Sequence, residues 1–172
     1  MRLIEKLKIY NFKRFDFFDI NFDETINVFI GDNESGKSTL LSAIDIVLSG
    51  SRNKIETLGL DRLFNTDVVN TFLKSNKKIE DLPELKLELY FKNSKDPSLN
   101  GNWNTEGRMC DGLRLVCEPR LDFTAEIKEV LKQDGNFPFE YYAITFQTFS
   151  GELTHFLLLV LQLQAQYSIS RV

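Results

Sequence analysis

Leu7 and Ile9 alternate with Lys6 and Lys8, and Phe18, Ile20 and Phe22 alternate with Asp19, Asn21 and Asp23. A period of two marks a strand with one face buried, so the chain is predicted to open with a hairpin. Asp23, Glu24 and Thr25 then make a turn into the short apolar stretch 26–30, which reads as a buried strand feeding a glycine-containing loop. Beyond the loop the period changes. Leu40, Leu41, Ile44, Val47 and Leu48 recur at helical spacing, and Gly50 supplies the stop. A second, shorter helix capped by Thr66 is predicted from Val68, Val69, Phe72 and Leu73. Leu85, Leu87, Leu89 and Phe91 form the clearest strand pattern, and Leu113, Leu115 and Cys117 form a returning strand. Between them residues 93–111 are polar, with Pro97, Gly101 and Gly107, and read as a mobile or variable excursion. A helix over 124–132 stopping near Gly135 and a strand through Tyr142, Ile144 and Phe146 complete the order. No internal repeat is visible.

Composition adds limits. The chain has 172 residues, of which 42% are hydrophobic, enough for one domain with a core or for part of a larger one. Twenty-one basic against 25 acidic side chains give a net charge of -4 and argue against a general polyanion binder, so any contact with DNA must be local. Cys110 and Cys117 lack metal-ligand spacing, and His155 is far from both in sequence. The run 156–161 is too short to span a bilayer, for which roughly 20 apolar residues are needed, and no leader opens the chain. The expectation is a cytoplasmic protein with no membrane segment.

The chemistry lies in Gly31-Asp32-Asn33-Glu34-Ser35-Gly36-Lys37-Ser38, a complete G-x-x-x-x-G-K-[ST] pattern, with Thr39 as a second hydroxyl. Gly31 and Gly36 permit backbone conformations in which successive N–H groups turn toward phosphate oxygens. The following helix adds its positive N-terminal dipole, and Lys37 adds a point charge for the β and γ phosphates. The Ser38 hydroxyl is placed to bind Mg²⁺, which bridges phosphate oxygens in a magnesium–nucleotide complex. An apolar strand before the loop and an amphipathic helix after it are the context the motif requires. Expected cofactors are therefore ATP and Mg²⁺, with Gly31, Asn33, Glu34, Ser35, Gly36, Lys37, Ser38 and Thr39 as the binding residues.

Hydrolysis needs more: an acid at the end of an apolar strand and a group that orients water. The run 157–161 ends in Gln162, and the stretch 58–61 is interrupted by Gly59, so neither provides a Walker B strand. Leu48-Ser49-Gly50-Ser51 looks superficially like an ABC signature, but its glycine more simply ends the helix before it. No catalytic residue is assigned within the chain.

Three features resemble the ABC-type ATPase heads of the SMC, Rad50 and RecF group, and above all the N-terminal ATPase region of OLD-family ATP-dependent endonucleases. They are the opening Leu7-Lys8-Ile9-Tyr10-Asn11-Phe12-Lys13-Arg14-Phe15, the Gly31-Asp32-Asn33 form of the loop, and the stretch from Phe139-Glu140-Tyr141-Tyr142 through Phe146-Gln147-Thr148-Phe149-Ser150-Gly151-Glu152. The resemblance implies an α/β fold, a P-loop NTPase of ABC-ATPase type. Its N-terminal lobe would have a strand–P-loop–helix core with additional antiparallel strands, as part of an incomplete domain. Residues 1–152 would be the ATP-binding region and 153–172 a divergent or truncated tail. Lys13 and Arg14 would lie beside the nucleotide, a solvated hairpin tip being the competing reading. Gln147 becomes the candidate for the glutamine that senses the γ phosphate and Mg²⁺, against the simpler reading of a polar residue on an exposed strand face. Asp61 and Asp67 are better explained by a helix cap or a solvated face.

Three functions follow from these expectations. The first is the ATP-binding part of an OLD-like DNA-directed ATPase and endonuclease, with ATP driving pairing of heads in a homodimer or larger oligomer and gating nucleic-acid processing or anti-phage defence. The second is a DNA repair ATPase head of the SMC, Rad50 or RecF type. The third is a nucleotide-binding regulatory module that does not hydrolyse. The family's signature segment, Walker B strand and Toprim nuclease acids are not found in these residues, so nuclease chemistry is not assigned to them.

Overall fold

The computed structural model describes residues 3–25, 27, 36–94 and 96–153. Its frame is one antiparallel sheet. β1 (Leu3–Phe12) and β2 (Phe15–Asn21) form the predicted hairpin, with Leu7 opposite Ile20 and Ile9 opposite Phe18. α1 (Lys37–Ser49), α2 (Arg52–Leu58), α3 (Leu60–Leu63) and α4 (Thr66–Leu73) follow. β3 (Leu85–Lys92), a two-residue β4 (Asn100–Gly101), β5 (Cys110–Pro119), α5 (Thr124–Lys132) and β6 (Tyr142–Thr148) complete the described chain. The strand order is β2-β1-β3-β5, with β4 and β6 both paired to β5.

Register sorts the side chains into two faces. Leu7 and Ile9 of β1 stand opposite Leu89 and Leu87 of β3, which stand opposite Leu113 and Leu115 of β5. All six are fully buried, and α1 lies over this face with Ala43, Ile44, Ile46 and Val47 turned into the same core. Because side chains alternate along a strand, the intervening residues occupy the other face: Lys6, Lys8 and Tyr10, then Glu88 and Tyr90, then Arg114, then Gln147.

Several expectations are refined. Asn65, one residue earlier than Thr66, caps α4, its side chain accepting from the Asp67 and Val68 N–H groups at 2.9 and 3.0 Å. Gly50 ends α1 in a left-handed conformation with φ 55°. Leu41, placed on the apolar stripe by its spacing, is 42% exposed, because α1 packs on the sheet with a narrower face. The buried strand expected over 26–30 and the tail from 154 onward fall outside the described residues.

The largest difference concerns the polar stretch 93–111, which is tied down over the second face of the sheet. Gly101 pairs with Cys110, and a side chain at Gly101 would collide with the Phe149 carbonyl oxygen at 1.9 Å. Glu88, only 1% exposed, accepts from the Thr105 N–H at 2.8 Å, the Thr105 hydroxyl at 2.7 Å and the Tyr90 hydroxyl at 2.7 Å. Glu106 accepts from Lys6 at 2.8 Å and pairs with Lys8 at 2.9 Å and with Arg108 at 2.5 Å. Polar residues predicted a loop correctly, but polarity does not distinguish a solvated loop from one that answers the charges of the sheet beneath it.

Candidate phosphate site at the start of the first helix

Gly36 begins α1 with φ 90°, a left-handed conformation that glycine adopts at little cost. A Cβ there would lie 2.6 Å from Phe15 Cζ and 3.1 Å from Arg14 Cδ, so the hairpin tip closes directly onto the start of the helix. The tip is itself fixed. Asn11 and Lys13 take φ 54° and 49°, the Lys13 N–H donates to the Leu63 carbonyl at 2.7 Å, and the Asn65 N–H donates to the Asn11 carbonyl at 2.9 Å. The Asn11 side-chain amide donates to the Glu84 carbonyl at 2.7 Å. Two left-handed non-glycine residues in a three-residue span are held by these bonds to neighbouring segments.

Among the described residues, basic side chains and the helix dipole gather at the start of α1. No side chain caps α1, and its first turn contains no acidic residue. Lys37 is half-buried, Ser38 exposed and Thr39 buried. Lys13 Nζ donates to Ser42 Oγ at 3.0 Å and lies 5.3 Å from the centroid of the Phe12 ring. Burial lowers the pKa of this ammonium, because its charge loses water without gaining a carboxylate. Neither Lys13 nor Arg14 forms an ion pair among the described residues. Such an end favours an anion, since helix N–H groups, a positive dipole and basic side chains converge on it. The set also fits a magnesium–polyphosphate: Ser38 supplies a hard oxygen donor for the metal, and the Lys37 ammonium supplies positive charge for the phosphates.

A cleft of ≈ 670 Å³ begins beside this tip, lined by Arg14, Asp16, Asp67, Val68, Thr71 and Phe72 among others. Spacing gave no sign of it, because the cleft joins the hairpin to α4, which lies some fifty residues away in the chain. The structure brings Gly36, Lys37, Ser38, Thr39, Lys13 and Arg14 to one end of the molecule. Gly31, Asn33, Glu34 and Ser35 fall outside the described residues.

Gln147 is not brought to this end. It pairs in register with Arg114, on the sheet face opposite α1, and its side-chain oxygen accepts from Arg114 Nε and Nη2 at 2.8 and 2.5 Å. β6 starts at Tyr142, near the hairpin-tip end of the sheet, so Gln147 stands about 17 Å further along the strand. Its polar character is accounted for by Arg114, and the geometry gives it no part in a phosphate site on α1. Asp67 sits exposed in the first turn of α4 and Asp61 in the first turn of α3, positions that need no metal to explain them.

Residues 1–156 match the AAA ATPase domain family. The chain belongs to this family. Among curated relatives, this ATPase domain is similar to the DNA replication and repair protein RecF of Clostridium kluyveri, with 34% identity over 84 residues, 45% of this chain and 22% of that protein. It is also similar to RecF of Oceanobacillus iheyensis, 48% identical over 50 residues, 29% of this chain and 13% of the relative. The DNA double-strand break repair Rad50 ATPase of Pyrococcus abyssi is 42% identical over 59 residues, 34% of this chain and 7% of the relative. The matches thus span less than a quarter of the length of these relatives. A solved SMC ATPase, described for its ATP-driven dimerization and DNA-stimulated activation, aligns with a TM-score of 0.47 and 18% identity, over 92% of this chain and 77% of that one.

Proposed function

We propose that this chain is the ATP-binding part of a DNA-directed ATPase of the SMC, Rad50 and RecF type. The observation that carries the reading is the α1 end, where a glycine-started, uncapped helix meets Lys13, Arg14 and Lys37 with no acidic residue in its first turn. The polyphosphate of ATP is held by residues 31–39, with Lys37 on the phosphates, Ser38 toward Mg²⁺, and Arg14 leading the sugar and base toward the cleft. Bound magnesium supplies charge neutralisation at the phosphate oxygens. The segments matched in RecF and Rad50 support action on DNA, and pairing of two heads is the form that action takes. The finer reading, an OLD-like endonuclease whose ATP site gates nucleic-acid cleavage in anti-phage defence, rests on the resemblance of residues 139–152 to that family.

Equilibrium titration of the folded chain with magnesium ATP tests the proposal. Saturable 1:1 binding that Lys37→Ala abolishes supports it; a folded sample that binds no magnesium ATP overturns it. Reading the gene beyond Val172 separates the finer versions, since a Toprim acid cluster favours the OLD-like form and long heptad repeats favour the SMC or Rad50 form.

A further inference from the structure

We draw no further inference here: the strongest candidate, the surface patch on the sheet face away from α1 where Trp103 stands 53% exposed with the Arg114 guanidinium 5.1 Å from its ring centroid, carries nothing because nothing in the structure shows what covers it.

Discussion

Two groups of basic side chains, one gathered over the middle of β1 and one in the turn that follows it, are treated in opposite ways. On the face away from α1, Lys6, Lys8 and Arg108 all converge on Glu106, and Lys8 also reaches Asp19 at 3.8 Å. The lysines hold the Glu106 carboxyl down to about 2 from its ordinary 4.5, with Lys6 the largest cause. At the hairpin tip, only a few residues further along β1 and its turn, Lys13 and Arg14 have no carboxylate at all among the described residues. Charges placed for folding are paired, because leaving half-buried cations unpaired costs stability. Basic side chains with no carboxylate among the described residues, beside an uncapped helix start, fit the proposed role of holding a ligand. The difference separates a structural cluster from a candidate site without reference to any relative.

The comparison is most directly broken at Lys37. Lys37→Ala is expected to weaken magnesium ATP binding about 100-fold or more, measured by titration calorimetry, with the melting temperature little changed. On the other face the expectation reverses. Glu106→Ala removes the carboxylate that Lys6 donates to and leaves partly buried Lys8 with only its longer contact to Asp19, and should cost about 2 kcal/mol of stability in urea denaturation while ATP affinity stays within about 2-fold.

The paired cluster also predicts a pH effect. The folded-state pKa of Glu106 lies below its ordinary value, so its stabilisation is complete above about pH 4.5 and is lost as pH falls toward 2. Thermal melts across that window should show a steeper acid loss for wild type than for Glu106→Gln; equal slopes would remove Glu106 from the account. The smallest effect is expected at Arg14, which is exposed and touches the Gly36 region with its aliphatic stem. Arg14→Ala should weaken ATP about 3-fold, more at low salt than at high, with stability unchanged within about 0.5 kcal/mol.

Much of the fold was legible from local pattern. Period-two alternation located both strands of the hairpin as well as β3, β5 and β6, and helical spacing with Gly50 located α1, because burial of one face leaves a direct imprint on residue order. α2 and α3 were missed: each is short, and Ile55 and Leu63 are their only buried residues, too few for a period to show. The 93–111 segment was misread for a different reason. Glu88 is an ordinary polar residue in an alternating strand until Thr105, brought over it by the fold, buries it.

The site divides along the same line. By itself the sequence marked residues 31–39 as the expected start of phosphate chemistry, since a nest of backbone N–H groups needs its glycines, lysine and hydroxyl at fixed spacing along the chain. Only the tertiary structure decided which distant residues share that end of the molecule. Lys13 and Arg14 are brought to the start of α1, because the hairpin tip closes on Gly36 and is pinned to residues 63–65. Gln147 is not, because strand register turns it to the opposite face and gives it to Arg114. Spacing along one element is a local property, and the face on which a strand residue lands is settled by pairing across the sheet.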